Sequence, residues 1–94
     1  MSLKMTFKVM LAPRTISKMT TISELQPGAR ARVSRIGGSG AIRQRLLDMG
    51  LLPKAAFTVQ RIAPAGDPIW IKLDDFQISL RRSEAATVFV ALLD

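Results

Sequence analysis

Cysteine, histidine and tyrosine are all missing from this 94-residue chain. Without cysteine there is no disulfide framework, no thiolate zinc site and no thiol chemistry, a usage that fits a reducing compartment. Without histidine the commonest general base and the commonest transition-metal ligand are gone as well. Aromatic residues make up only 5% of the chain, which leaves few rings on which nucleic-acid bases could stack. No run of about 18 apolar residues exists, the length that a membrane-spanning helix needs. The opening stretch MSLKMTFKVMLAPRT has neither the continuous apolar segment nor the small-residue cleavage site of a secretory signal.

What remains is 48% hydrophobic, enough for one small domain and too short for two independent cores. The formal charge of +7 is unevenly placed. Residues 1–18 carry Lys4, Lys8, Arg14 and Lys18 with no acid, which is +4 of the total; the other +3 is spread over residues 19–94. Residues 1–18 therefore read as a basic leader, within which Met5, Phe7, Val9 and Leu11 alternate as in a short strand. The domain reads as 19–94.

Within the domain, periodicity predicts a mainly β chain. Thr21–Leu25 fits a single helical turn, and Pro27-Gly28 is a turn signal. In ARARVSRIG, 29–37, Ala29, Ala31 and Val33 alternate with Arg30, Arg32 and Ser34, the pattern of a half-buried strand. Gly37-Gly38 breaks it, and Ser39 is expected to cap a helix with its hydroxyl. Ile42, Leu46 and Met49 form the apolar stripe of that helix, with Leu47 widening it. The helix then stops inside its own hydrophobic run. Gly50 takes the left-handed conformation at little steric cost, Leu51 folds back towards Leu46, and Pro53 forbids continuation. AFTVQRI (56–62), IWIKL (69–73), FQISL (76–80) and TVFVALL (87–93) read as further strands, with Phe76, Ile78 and Leu80 inward, a tight turn at Asp74-Asp75 and a helical turn at 81–86. About five short strands with a short helical insertion after the first suggest a small barrel, whose closure protects strand edges.

Chemistry is scarce. Asp74-Asp75 sits at a hairpin tip, where solvated side chains do not make the positioned, tuned pair that carboxylate catalysis requires. The serines have no histidine or cysteine partner. Gly37-Gly38-Ser39-Gly40 opens a helix but lacks both the Lys-Ser/Thr ending of a Walker loop and the spacing of a dinucleotide fingerprint. Four of the five methionines lie at 1, 5, 10 and 19, and Met49 belongs to the helix stripe, so a soft-metal site is not indicated. No catalytic residue, cofactor or resident metal is expected.

Two features suggest partner contacts. Trp70 lies on the face opposite Ile69 and Ile71; it either anchors an interface or lies flat over a neighbouring element. At the Met49–Leu52 corner, Leu51 and Leu52 cannot both be buried, which leaves one for an exposed apolar patch. Arg43 and Arg45 would form its charged rim. Arg43, Arg45, Met49, Leu51, Leu52 and Trp70 are therefore the candidate partner-binding residues. The rival function class is nucleic-acid binding by a small basic barrel, which the shortage of aromatic residues disfavours.

A glycine-rich turn followed by Ile42-Arg43-Gln44-Arg45-Leu46-Leu47-Asp48-Met49-Gly50-Leu51-Leu52-Pro53, then Ala63-Pro64-Ala65-Gly66-Asp67-Pro68, a hairpin, and Ser79-Leu80-Arg81-Arg82-Ser83-Glu84-Ala85-Ala86 resembles the FeoA family, ferrous iron transport protein A. The resemblance spans about residues 19–94. It implies an SH3-like β-barrel and a small cytoplasmic, non-enzymatic accessory protein of bacterial ferrous iron uptake. The implied partner is the FeoB-type permease with its cytosolic GTPase domain; self-association is the other contact the surface suggests. Two positions depart from the family pattern. Lys54 stands where glycine usually follows the proline, and Asp74-Asp75 stands where the hairpin often carries glycine. The same barrel occurs as a C-terminal domain in metal-dependent repressors of the DtxR type; residues 1–18 leave no room for a helix-turn-helix domain, so a stand-alone repressor is not expected.

Overall fold

The computed structural model describes residues 19–93; the basic leader 1–18 lies outside the described residues. The strands β1 (Met19–Thr21), β2 (Arg30–Ile36), β3 (Ala56–Ile62), β4 (Ile69–Leu73), β5 (Phe76–Leu80) and β6 (Val88–Leu93) form one antiparallel sheet. Their order is β1-β6-β2-β3-β4-β5. A 3-10 turn (Ile22–Glu24) follows β1, helix α1 (Gly40–Asp48) is inserted between β2 and β3, and the one-turn helix α2 (Arg82–Ala85) precedes β6.

Period-two patterning builds the core. Ala31 and Val33 of β2, Phe57 and Val59 of β3, Ile69, Ile71 and Leu73 of β4, Leu80 of β5, and Val88 and Val90 of β6 are all buried on the inner face. Successive side chains of a strand point to opposite faces, so β2 to β5 carry an apolar inner face, while β6, VFVALL, is apolar on both faces. Register shifts between Val33 and Arg35 on β2 and between Val59 and Arg61 on β3 interrupt the alternation. Past the β2 shift the phase changes, which is how Ile36 points inward although Ala31 and Val33 sit at odd positions. Such bulges increase local twist and let a short sheet curl around its core.

The ladder ends at β1 and β5. Between these edges, α2 packs against both β5 and the 3-10 turn, bringing Ala85 and Ile22 into the core. Two short helical elements thus cover the seam that strand pairing leaves. β1 is a strand that the sequence pattern does not reveal: three residues, Met-Thr-Thr, extended because β6 offers them partners, Met19 opposite Ala91 and Thr21 opposite Phe89.

Helix α1 terminates as its sequence requires. Gly50 has φ of 103°. Its N–H donates to Leu47 O at 3.0 Å, and the Leu51 N–H donates to Leu46 O at 3.1 Å, the paired hydrogen bonds of a Schellman motif. Leu46 and Leu51 are both fully buried. Two expectations about the helix need correction. Ser39 occupies the N-cap position with extended backbone, but its hydroxyl makes no capping bond. Ile42, expected on the buried stripe, is 47% exposed, because α1 touches the core through its C-terminal half only.

Candidate interaction surface

The turn after α1 shapes an apolar corner. Leu52-Pro53-Lys54-Ala55 closes with Ala55 N–H donating to Leu52 O at 3.0 Å, and Lys54 has φ of 78°. Proline second and a positive φ third are the marks of a type II turn. The turn is pinned to β2 on both sides: the Lys54 N–H donates to Val33 O at 2.7 Å and the Val33 N–H to Ala55 O at 2.8 Å. Held this way, Leu52 stands 52% exposed while Leu51 is fully buried. Leu51 is therefore corrected from a candidate contact to a core anchor of the corner, and Leu52 is the leucine left on the surface. Met49 is half-buried against the core.

Phe76 joins this corner, which the strand pattern does not foretell. Its parity is inward as expected, since it faces Leu73 across the β4–β5 pair as Ile78 faces Ile71 and Leu80 faces Ile69. It is nevertheless 46% exposed. Phe76 lies at the mouth of the barrel, where its ring covers Gly50: a Cβ placed on that glycine would meet Phe76 Cζ at 3.0 Å. Met49, Leu52 and Phe76 thus gather around Gly50, and Ile42 continues the α1 stripe two turns away.

Arg43 is exposed on α1. Arg45 has a more specific position. Its Nη1 lies 2.9 Å from Glu84 Oε2, while Glu84 Oε1 accepts the Arg81 N–H at 2.9 Å. Glu84 is the buried charged residue among those described, and no buried side-chain polar atom lacks a partner. With Asp67, Pro68, Ser79, Leu80 and Arg81, this pair lines an open cleft of about 490 Å³. The 63–68 loop reaches the same cleft, where Asp67 Oδ1 accepts the Arg82 N–H at 3.1 Å.

Trp70 is not part of the apolar corner. It lies on the outer face of β4 opposite Arg61 and Ser79. It is half-buried, with the Arg61 guanidinium 3.9 Å from its ring centroid. The ring faces outward, as its position on β4 predicts, and an arginine of the neighbouring strand β3 covers it. Among the described residues no group of three or more acidic, histidine or cysteine side chains is placed to hold a metal ion, and no helix is long and apolar enough to cross a membrane.

Comparison with known proteins fits these observations. A family model for the FeoA domain matches residues 20–92. The chain is 39% identical over 72 residues to a Fe(2+) transport protein A/Fe(2+) transporter FeoB fusion protein of Porphyromonas gingivalis; the match takes in 77% of this chain but only 8% of that relative's length. The FeoA protein of Chlorobium tepidum shares 39% identity and superposes with a TM-score of 0.74, covering 80% of this chain and 71% of its own. FeoA of Stenotrophomonas maltophilia, solved in complex with zinc and described as a prokaryotic SH3 domain protein, shares 28% identity with a TM-score of 0.67, covering 76% of this chain and 88% of its own. The mainly β fold with one inserted helix is of this SH3-like kind. The two motif segments that carry the sequence resemblance meet in space through Arg45 and Glu84, and with the family match spanning 20–92, the chain belongs to the FeoA family.

Proposed function

We propose that this domain is a non-catalytic interaction module of bacterial ferrous iron uptake that works in the cytoplasm by docking on a FeoB-type permease. The observation that carries this reading is the Porphyromonas gingivalis relative, in which a matching domain shares one chain with a FeoB transporter. Tethering in one chain gives a weak contact a high effective concentration, and tethered or not, such a contact needs a defined docking patch. The corner of Met49, Leu52 and Phe76, with Arg43 on its rim, supplies one: apolar at its centre and charged at its edge, as interface patches are. Trp70 is a second contact. In this reading iron is the transporter's cargo, and this chain, lacking histidine and cysteine, holds none of its own.

The test is a calorimetric titration of the full chain into the cytosolic domain of the FeoB-type permease from the same source, with GDP and with a non-hydrolysable GTP analogue. Saturable binding that Leu52→Asp abolishes supports docking at the corner. Dependence on the nucleotide makes the role regulatory. Absence of heat and of co-elution in every nucleotide state removes docking on that domain. Concentration-dependent dimerisation that Leu52→Asp abolishes, without any such binding, assigns the corner to self-association.

A further inference from the structure

Charge in this fold is segregated more sharply than composition suggests. None of the six strands carries Asp or Glu, whereas Arg30, Arg32 and Arg35 lie on β2, Arg61 on β3 and Lys72 on β4. All five are exposed. The described acids, Glu24, Asp48, Asp67, Asp74, Asp75 and Glu84, are confined to turns, loops and helices. Strand pairing draws the basic positions together on the outer face. Arg30 stands opposite Thr58, which stands opposite Lys72, and Lys72 opposite Gln77, in one row across four strands. Arg61 and Trp70 form the adjoining pair. Arg32 donates to the Lys54 backbone O at 3.0 Å, which holds its side chain at the edge of this face.

We propose that this acid-free sheet face is a peripheral membrane-contact surface that lies against anionic phospholipid headgroups. Charge complementarity is the first argument: clustered arginine and lysine are drawn to an anionic leaflet, with gains that accumulate per basic residue. Shape is the second. The inner face is filled by the core, so the basic face is the outside of a curled sheet, suited to resting on a plane. The third is the state of the rings. Arg61 covers Trp70 at 3.9 Å and Arg35 covers Phe89 at 4.3 Å, so neither ring is a bare platform for base stacking. A guanidinium stacked on a ring keeps its N–H edge directed outward, the geometry that pairs with phosphate oxygens. The half-buried Trp70 is the amphipathic kind of ring enriched at membrane–water interfaces. This face shares no residue with the Met49–Leu52–Phe76 corner and does not depend on docking there; Trp70 is the residue it has in common with the docking contacts proposed above. Contact is by headgroups alone, without insertion.

The experiment is co-sedimentation of the full chain with vesicles of phosphatidylcholine alone and of phosphatidylcholine mixed with phosphatidylglycerol, at low and moderate salt. Wild type is expected to bind the anionic vesicles only, and to release as salt rises. Arg32→Gln, Arg61→Gln and Lys72→Gln combined should weaken binding by about a hundredfold, at about fivefold per charge removed. Asp74 flanks a shallow depression with Arg30, Thr58 and Lys72, so Asp74→Asn should tighten binding. All variants retain the basic leader 1–18, so the difference between them reports the sheet face. Circular dichroism melts confirm that the triple variant is folded. Equal binding to neutral vesicles, or a triple variant within about twofold of wild type, overturns the proposal. So does a single-stranded oligonucleotide that displaces the chain from anionic vesicles and depends on the same three residues, which would assign the face to nucleic acid.

Discussion

Arg45 Nη1 sits 2.9 Å from Glu84 Oε2, joining the inserted helix to the one-turn helix that covers the seam between β5 and β1. The two ends of this ion pair are unequal: the glutamate side chain is 6% exposed and the arginine 55%. Removing the arginine strands a buried carboxylate with the Arg81 N–H as its remaining donor. Screening at the exposed end limits the cost, so Arg45→Ala is expected to destabilise by about 1–2 kcal/mol. Glu84→Ala removes both bonds and should cost more, while Glu84→Gln keeps an acceptor for Arg81 and should fall between. Urea unfolding midpoints at constant m-value give the ranking. Arg45→Ala equal to wild type would mean that water replaces the guanidinium fully.

Gly50 answers to two constraints at once. Its φ of 103° is strained for any residue with a Cβ, and that Cβ would stand 3.0 Å from the Phe76 ring. Gly50→Ala should therefore destabilise by about 1–3 kcal/mol and expose the Phe76 ring further. Thermal melts give the first effect, and solvent-paramagnetic broadening of the Phe76 ring signals the second. An unchanged melting temperature would show that the corner is free to relax.

Lys54 is the opposite case, a side chain where the turn prefers none. The third position of its type II turn has φ of 78°, which explains why the family pattern carries glycine there. Lys54→Gly is expected to raise stability by about 0.5–1 kcal/mol, relief of strain offset in part by the greater chain entropy of glycine in the unfolded state. Differential scanning calorimetry reads this as an upward shift of the melting temperature, and a lower one would mean that the lysine stem makes compensating contacts.

Adjacent leucines should behave as opposites. Leu51 is fully buried and Leu52 is 52% exposed. Leu51→Ala should cost about 2–5 kcal/mol, whereas Leu52→Ala should stay within about 0.5 kcal/mol. A difference in unfolding free energy smaller than about 1 kcal/mol between the two variants would contradict the assignment of the core anchor.

Much of the framework is legible in local pattern. IWIKL alternates, and β4 buries Ile69, Ile71 and Leu73 as that alternation requires. Gly50 and Pro53 announce the end of α1, and the Schellman bonds form where they should. Phe76 shows where pattern stops. Its inward parity is correct, yet parity says only which face a side chain takes, and at the barrel mouth the inward face is half open. Ile42 fails for a related reason: helical spacing places it on the stripe, but the core ends before reaching it. The Arg45–Glu84 pair and the basic face were hidden because each depends on residues far apart in sequence.

By itself, then, the sequence determined what nearest neighbours and backbone sterics control: that the five longer strand segments extend, where α1 stops, which face of β4 is apolar, and that histidine and cysteine chemistry is excluded. Tertiary structure alone decided the exposure of Leu52, Phe76 and Ile42, the partner of Arg45, the pairing of β1 with β6, and the gathering of bases on one face. Periodicity is a property of a single segment and survives in the primary chain. Burial, ion pairing and charge segregation depend on which other segment arrives, and only the closed sheet brings those segments together.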